Sequence, residues 1–439
     1  MIAIYLLLIF IFFAALMFTR KMPALLALPA MAILIAALAQ LPAIAIMNDI
    51  IAKGSIKLSA VYVAVFMGAM MGRVMMQTGI AEEIIKRAAE FGGEKPLIVA
   101  FGLMIVTVIL FTTLQGLGAI ITVGSLILPI MMSLGIPRKL AGTLFLLAFG
   151  TGFIFNPILF TLYRQLLQLQ DSDLLPTEVP TFAFILLGLM LVAVFTYAMI
   201  AAKRSGEILL MSAVSPEGTP LEKEELLKRH SKKRVPLVAL LTPIVPLVLF
   251  FGFNAYGIKL DFIAAFIIGS LFAVLTTDWR NGIKTLTASA IKGIEDGAPA
   301  AILMMGIGML LNALNLPPIK MALEPLIKSL PFDSPIFYVA FFGLLSPLAL
   351  YRGPLNIFGI GIGLFTIMFG TGVLPPIALL AAIMCVVQVQ NICDPTNTHN
   401  VWIANFTGIR VEELTKETIL PIFLVCFIGL ILSAMLFFG

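Results

Sequence analysis

Charge is scarce in this sequence. Lys, Arg, Asp and Glu make up 12% of its 439 residues, whereas hydrophobic residues make up 61% and the mean hydropathy is +1.10. A soluble chain of this length could not bury so much apolar surface, and its repeated apolar runs approach the ~20 residues that cross a bilayer. The sequence therefore predicts an all-α, polytopic membrane protein. We assign its net charge of +5 to membrane topology and not to nucleic acid binding.

Histidine and cysteine are also scarce, with 2 and 3 copies. Cys385, Cys393 and Cys426 lie in or beside apolar runs, a pattern that predicts neither disulfides nor a metal site. No H-E-x-x-H, G-x-S-x-G or phosphate-loop pattern occurs, so we expect neither an enzyme nor a bound cofactor. The residues after Met1 are apolar at once, without a basic stretch or a cleavage pattern, so no removable signal peptide is predicted.

The apolar runs fall into two groups on either side of a charged segment. The first group predicts spans at Ile2–Thr19, Pro23–Met47, Leu58–Gln77, Pro96–Leu134, Lys139–Leu159 and Val179–Ala202. The second group predicts spans at Pro236–Tyr256, Phe262–Thr277, Gly297–Leu314, Pro335–Gly372, Pro376–Asn391 and Glu417–Phe438. The charged segment, 203–235, contains Pro216, Gly218 and Pro220, which disfavour a continuous helix, and we interpret it as a linker.

The two groups have the same order and nearly the same lengths, which predicts an internal duplication. One constant offset aligns Asn156-Pro157 with Asp394-Pro395. We expect a first repeat at 1–202 and a second at 236–439, each with about five transmembrane helices and a re-entrant hairpin, at 96–134 and 335–372. Because five crossings is an odd number, the two repeats would have inverted topology.

The Lys and Arg residues set the expected orientation. With the linker in the cytoplasm, most of them fall on the cytoplasmic side and both termini lie outside, as in a multi-pass protein of the cell (inner) membrane. Charge does not distinguish a re-entrant hairpin from two full crossings, because both return the chain to the same side. The polar tips and the short length of 96–134 favour hairpins. The segments Glu82–Glu90 and Lys320–Lys328 predict amphipathic helices at the membrane interfaces.

Polar residues interrupt the middle of each hairpin. We name these interruptions the first tip (Thr112–Gly118) and the second tip (Leu350–Asn356). The first tip reads T-T-L-Q-G-L-G. Its glycines let the backbone turn, and the helix expected from about Ala119 presents an N-terminus that favours anions. The alternative is ordinary packing of Thr and Gly between transmembrane helices.

The second tip contains Arg352 between two apolar stretches. A guanidinium at membrane depth is costly, and its geometry suits a carboxylate. Pro354 fits the first turn of the following helix. The alternative is an arginine in a short outward-facing loop. Arg73 lies near the expected cytoplasmic end of its span, where snorkelling to the interface accounts for it.

The element after each hairpin is also interrupted, at the first break (150–157) and the second break (388–397). Pro157 and Pro395 each remove a helix hydrogen bond and free a carbonyl. Carbonyls with Thr and Asn oxygens are suitable ligands for Na⁺. Asp394, the only acid in either break, could instead take up a proton. The alternatives are a plain helix end at Asn156 and an Asp-Pro turn at Asp394.

This plan resembles the ion transporter superfamily, which includes citrate and dicarboxylate symporters, gluconate and lactate permeases, arsenite carriers and some Na⁺/H⁺ antiporters. The likeness covers nearly the whole chain apart from the linker. It rests on the architecture and on stretches such as T-G-I-A-E-E-I-I-K-R before the first hairpin and L-G-I-P-R-K-L-A-G after it. The resemblance implies a secondary transporter, usually a homodimer, that works by an elevator-like movement. The dicarboxylate symporters carry Ser-Asn-Thr at both tips, whereas here the tips read T-T-L-Q and Y-R-G-P-L-N, which leaves the subfamily open.

We therefore expect a secondary active transporter that moves a small organic anion, such as citrate, a C4-dicarboxylate or a sugar acid, by symport with Na⁺ or H⁺. The expected substrate contacts are Thr112, Thr113, Gln115, Arg352, Asn356, Asn391 and Asn397. The expected cation contacts are Thr151, Asn156, Asp394 and Thr396. The alternatives are a Na⁺/H⁺ antiporter, with Asp394 as the shared proton and cation site, and a channel or membrane-embedded enzyme.

Overall fold

The computed structural model of the chain describes residues 2–19, 21–91, 96–167, 178–204, 235–256, 258 and 260–438. These residues are predominantly helical, and none of them lies in a β-strand. Nearly all of the predicted linker, 205–234, lies outside the described residues.

The helices are numbered in chain order. Before the linker they are α1 (Ile2–Phe18), α2 (Ala24–Leu38), α3 (Ala43–Gln77), α4 (Ile80–Phe91), α5 (Pro96–Phe111), α6 (Gly116–Ser133), α7 (Arg138–Phe153), α8 (Pro157–Leu166) and α9 (Glu178–Arg204). After it they are α10 (Val245–Ala255), α11 (Phe262–Thr277), α12 (Gly282–Leu314), α13 (Pro317–Lys328), α14 (Pro335–Leu344), α15 (Gly361–Thr371), α16 (Pro376–Cys393), α17 (Thr398–Thr407) and α18 (Val411–Phe437). Short 3-10 helices, Leu237–Ile244 and Ser346–Arg352, precede α10 and follow α14.

Many of these helices have the length and composition of membrane spans. Within the described ranges, 7 helices are long and apolar enough to cross a membrane, or up to 8 if the bent pair α7 and α8 counts as one span. Shorter apolar helices, among them α1, α2 and α11, accompany them. The predicted class of polytopic helical membrane protein is therefore confirmed, whereas the inverted repeats stay a prediction.

Two spans are longer than the sequence predicted. α3 begins at Ala43 and not at Leu58, with a π-helical stretch at Ile46–Ala52, and α12 begins at Gly282 and not at Gly297. The predictions stopped where charged residues begin. In α12, Lys292 and Glu295 lie on the exposed face while Gly293 is buried against α3, so the charges do not end the helix. The predicted span Pro23–Met47 is shorter, because α2 ends at Leu38 before a turn.

α3 and α12 form a closely packed antiparallel pair, which we call the central pair. A Cβ atom on Gly54, early in α3, would lie 2.6 Å from the Cα of Met309, late in α12. A Cβ atom on Gly293 would lie 2.6 Å from the backbone nitrogen of Met70, near the other end of α3. Glycine at such positions lets two membrane helices approach closely. The central pair thus joins the two groups of spans.

The two amphipathic segments are helices, as predicted. α4 contains Glu82–Glu90 and follows α3, and α13 contains Lys320–Lys328 and follows α12. Their place at the membrane interfaces stays a prediction.

Candidate functional site

The first break joins its element to the first tip. α7 ends at Phe153 and α8 begins at Pro157, with a bend of 54° between them. Asn156 caps α8, because its side-chain oxygen accepts a hydrogen bond from Ile158 N at 3.1 Å. Its Nδ2 donates to the carbonyl of Leu114 in the first tip at 3.3 Å. Asn156 is fully buried, and it therefore fixes the position of the tip relative to the break.

The second break is likewise bonded to the second tip, but here the break residue accepts hydrogen bonds from the tip instead of donating to it. Asp394, fully buried, directly follows α16. Its Oδ1 accepts hydrogen bonds from Thr396 N at 2.9 Å and Thr396 Oγ1 at 2.7 Å. Its Oδ2 accepts from Arg352 N and from Asn356 Nδ2, both at 3.3 Å. Each of the two carboxylate oxygens thus accepts from two donors.

Both breaks are shorter than predicted. Residues 150–153 belong to α7, and Thr151 Oγ1 donates to the carbonyl of Leu147 within that helix at 2.8 Å. Residues 388–393 form the last turns of α16, so the second break itself is 394–397. The predicted breaks are too long because polar side chains do not end these helices: the backbone of 150–153 and 388–393 is helical.

The second tip is a long turn. Tyr351 and Arg352 adopt φ of 55° and 59°, the left-handed region that non-glycine residues rarely enter. The prediction that Pro354 opens the next helix is wrong, because α15 begins at Gly361. The side chain of Asn356 accepts from Phe358 N at 2.9 Å, and that of Gln390 in α16 accepts from Ile357 N at 2.8 Å. These bonds hold the stretch as a turn.

The guanidinium of Arg352 stands apart from this network. The side chain is partly buried, and it makes no hydrogen bond or ion pair with any residue that the structure describes. Asp394 is close enough for its charge to act on Arg352, but its carboxylate bonds the backbone nitrogen of that residue and not the guanidinium. A cation in an apolar protein without a bonded partner is costly, so this guanidinium is available for an anion.

Three amide atoms near the second break are also buried without a hydrogen-bond partner. They are Gln388 Oε1, Asn391 Nδ2 and Asn400 Oδ1. Leaving a buried polar atom unpaired costs about 1–3 kcal/mol, so we expect water or a ligand to satisfy them. Asn397, a predicted substrate contact, instead donates to the carbonyl of Gln390 at 2.7 Å. Asn400 was missed by the sequence prediction, although it belongs to the same polar run.

The helices next to the two breaks pack against each other. The ring of Phe149 in α7 lies 4.7 Å from the ring of His399 in α17, centroid to centroid. Gly150 packs directly against Ile392 of α16. His399 is also bonded to the carbonyl of Asn391 at 2.8 Å. Each break holds its own tip, and these contacts between α7, α16 and α17 connect the two broken elements.

The polar side chains of the first tip are occupied within the protein. Thr112 Oγ1 donates to the carbonyl of Ile109 at 2.7 Å, and Thr113 Oγ1 bonds in the same way to Leu110. Gln115 Nε2 donates to the carbonyl of Val65 in α3. The helix after the tip begins at Gly116, not near Ala119. The substrate contacts predicted for Thr112, Thr113 and Gln115 stay predictions, since each has a partner in this conformation.

An ion pair on the central pair contacts the first tip. Arg73 Nε and Nη2 donate to the two carboxylate oxygens of Asp296 at 2.5 and 2.6 Å. Arg73 is thus neutralised by Asp296 within the protein, and its snorkelling to the interface stays a prediction. A Cβ atom on Gly118 would lie 2.6 Å from both carboxylate oxygens. Sequence reasoning missed Asp296, which lies one residue before the predicted span that begins at Gly297.

A cavity of about 720 Å³ lies elsewhere, between α9, α18 and the start of α7. Lys139 and Glu417 form an ion pair in its wall, and Tyr197 OH donates to Glu417 at 2.8 Å. None of the predicted site residues lines it, so we do not assign it to the candidate site.

Comparison with known proteins supports the fold. No protein family and no curated protein matches the sequence. Among solved structures, the YdaH transporter of Alcanivorax borkumensis, described as having an unusual topology, is 14% identical, with a TM-score of 0.52 over 89% of this chain and 87% of that one. MtrF of Neisseria gonorrhoeae, described as illuminating a class of antimetabolite efflux pumps, is 13% identical, with a TM-score of 0.54 over 89% and 83%. This chain thus shares its fold with two membrane transporters. The matches do not confirm the resemblance to the ion transporter superfamily.

Proposed function

We propose that this protein is a secondary active transporter that carries a small organic carboxylate across the membrane, coupled to Na⁺ or H⁺. The fold shared with transporters supports the general class. The observation that supports the substrate class is the guanidinium of Arg352, which has no bonded partner among the described residues and lies in the tip that Asp394 of the second break holds. Its planar fork of donors matches a carboxylate better than any other small anion group except phosphate.

A second donor supports an anion at this place. Asn391 Nδ2 is buried without an acceptor. Asn391 is connected to the end of the second tip through Gln390, which donates to Asn391 Oδ1 at 3.4 Å and accepts from Ile357 N at 2.8 Å. An anion within reach of both groups would satisfy a free amide and a free guanidinium together. Uncharged substrates would satisfy the amide alone.

Asp394 is the proposed cation site. Its carboxylate bonds the backbone of the second tip and the side chain of Asn356. The unpaired acceptors Gln388 Oε1 and Asn400 Oδ1 lie on α16 and α17, the helices before and after the second break. Oxygen atoms of this type suit Na⁺. Protonation of Asp394 would weaken its bonds to the tip, so binding of H⁺ or Na⁺ would couple directly to the position of Arg352.

Inverted repeats would explain why the two broken elements meet. The offset that pairs Pro157 with Pro395 also pairs the first residues of α2 and α11, Ala24 and Phe262, and those of α7 and α16, Arg138 and Pro376. The central pair is antiparallel, as expected of equivalent helices in inverted halves. We propose that tips and breaks move together against the central pair in an elevator-like step within a homodimer of the cell membrane.

Uptake by the purified, full-length protein in proteoliposomes tests the proposal. A panel of radiolabelled organic acids is offered under an inward Na⁺ gradient or an inward H⁺ gradient. We expect saturable uptake of at least one carboxylate under one of the gradients. Arg352→Gln should reduce its affinity about 100-fold, the loss expected when two charge-assisted hydrogen bonds disappear. The matched control is Arg164→Gln, since Arg164 pairs with Asp261 outside the site. Unchanged uptake by Arg352→Gln would refute the role of Arg352.

A Na⁺/H⁺ antiporter is the second candidate, and the buried Asp394 with its neighbouring free amide oxygens favours it. In that case addition of Na⁺ alone would move protons across the proteoliposome membrane, without any organic acid. Asp394→Asn would abolish this signal, whereas Arg352→Gln would leave it in place. Efflux, the direction described for MtrF, is tested by loading the acid inside the vesicles.

A further inference from the structure

The two tips differ in how much positive charge they can offer to a substrate. A dicarboxylate held between the tips would need a cationic group for each carboxylate, since an unpaired carboxylate at membrane depth is costly. Among the residues that the structure describes, the charged side chains bonded to, packed against or carried by the tips include Arg73, Asp296, Arg352 and Asp394. Their pairing decides which anions fit.

At the first tip the anion position is already filled by the protein. Arg73 donates through Nε and Nη2 to the carboxylate of Asp296. The same carboxylate lies against the first turn of α6 at Gly118, where the positive end of the helix dipole acts. The side chains of Asp296 and Arg73 are only 14% and 26% exposed. One internal carboxylate thus uses both positive features of this tip.

The remaining polar groups of the first tip are occupied as well. Gln115 is bonded to Val65, and the carbonyl of Leu114 is bonded to Asn156. A second substrate carboxylate placed here would meet no free cation among the bonded groups described above, and it would lie next to the negative charge of Asp296. Like charges repel strongly where water is scarce.

We infer that the transported anion carries a single carboxylate, bound by Arg352, and that Asp296 excludes dicarboxylates from the first tip. The inference rests on the proposed function and narrows it to monocarboxylates, such as short hydroxy acids or sugar monoacids. Asp296 is in this sense a specificity-determining residue, although it need not touch the substrate.

Matched pairs of acids test the inference in the wild-type protein. Butyrate is compared with succinate, and gluconate with glucarate, by inhibition of uptake in proteoliposomes and by ligand-induced thermal stabilisation of the full-length protein. We expect the monocarboxylate of at least one pair to bind about 10-fold or more tightly than its dicarboxylate partner. A dicarboxylate that binds as tightly as its partner, or more tightly, would overturn the inference. If neither member of either pair binds, the acid that the uptake panel identifies is compared with its own counterpart of one more or one fewer carboxylate. Uptake of no carboxylate in that panel would overturn the proposed function itself.

A variant then tests whether Asp296 is the cause. Asp296→Asn should raise the affinity for the dicarboxylate about 10-fold relative to wild type and change that for the monocarboxylate little. Asp49→Asn, which removes an exposed ion pair with Lys53 on the same helix pair, is the matched control and should leave the ratio unchanged. If Asp296→Asn does not fold, Asp296→Ser replaces it, since this change also removes the carboxylate and leaves Arg73 free for a second substrate carboxylate. An unchanged ratio in a folded variant would refute the role of Asp296.

Discussion

At the first tip the positive charge belongs to the central pair, as Arg73, and Asp296 neutralises it. At the second tip the positive charge belongs to the tip itself, as Arg352, and no described side chain is bonded to its guanidinium. The breaks also differ in how they bond to their tips. Asn156 donates to a carbonyl of the first tip, whereas Asp394 accepts from a backbone nitrogen of the second. Similar backbone positions thus carry one closed polar network and one open one.

This difference between the tips indicates which half of the site is free to respond to a ligand. The first tip has bonds to the central pair through Gln115 and lies against the Arg73–Asp296 pair. The second tip has a guanidinium without a partner and is held by a carboxylate that can bind an ion. We therefore expect substitutions at the first tip to change stability and those at the second tip to change transport.

The largest expected effect on stability comes from Arg73→Gln. Removal of one partner leaves Asp296 as a largely buried, unpaired charge, so we expect the free energy of unfolding to fall by about 3 kcal/mol. Arg352→Gln removes a charge that has no bonded partner and should leave stability unchanged or higher. Thermal unfolding of both variants in detergent measures the contrast. Equal melting temperatures would contradict it, and Arg73→Gln/Asp296→Asn should recover most of the loss.

An exchange of the two break residues should have the next largest effect. Asn156→Asp places a carboxylate opposite the carbonyl of Leu114, and Asp394→Asn places an amide donor opposite the donors Arg352 N and Asn356 Nδ2. Each substitution replaces a hydrogen bond by repulsion or by an unpaired polar group, so we expect the free energy of unfolding to fall by about 2 kcal/mol. Only Asp394→Asn should also remove the dependence of uptake on Na⁺ or H⁺. Retained ion dependence in that variant would exclude Asp394 as the coupling site.

Arg352→Lys should have an intermediate effect, on transport alone. Lysine keeps the charge but lacks the planar fork, so we expect affinity for the carboxylate to fall about 10-fold, which is about 1.4 kcal/mol. Concentration dependence of uptake measures the change. If Lys and Gln at this position behave alike, the charge of Arg352 is not what the substrate recognises.

The smallest expected effect comes from a single methyl group. In Gly118→Ala the added Cβ would lie 2.6 Å from the carboxylate oxygens of Asp296, so the ion pair must shift. We expect the free energy of unfolding to fall by about 1 kcal/mol. Gly188→Ala in α9 is the matched control, because nothing lies within 4 Å of its added Cβ. That change should stabilise the protein by about 0.5 kcal/mol through helix propensity. Melting temperatures that move in the same direction would contradict the close contact at Gly118.

The sequence predicted those parts of the site in which a polar residue interrupts an apolar run. Asn156, Arg352 and Asp394 stand out as polar residues within apolar runs, and the structure brings their segments together. The pairing of Arg73 with Asp296 could not be found in this way, because the two residues lie on different helices and hydropathy placed Asp296 outside its span. The start of α15 was misplaced for a similar reason, since the side chains that hold the second tip as a turn include Gln390 from another element.

The Arg73–Asp296 pair also has a consequence for the order in which the protein is made. The two residues are 223 positions apart, so Arg73 enters the membrane with α3 long before its partner is synthesised. An arginine at membrane depth without a partner is costly, and the first half must tolerate it until α12 is inserted. The first tip therefore completes its contacts with the Arg73–Asp296 pair only when the second half has been synthesised.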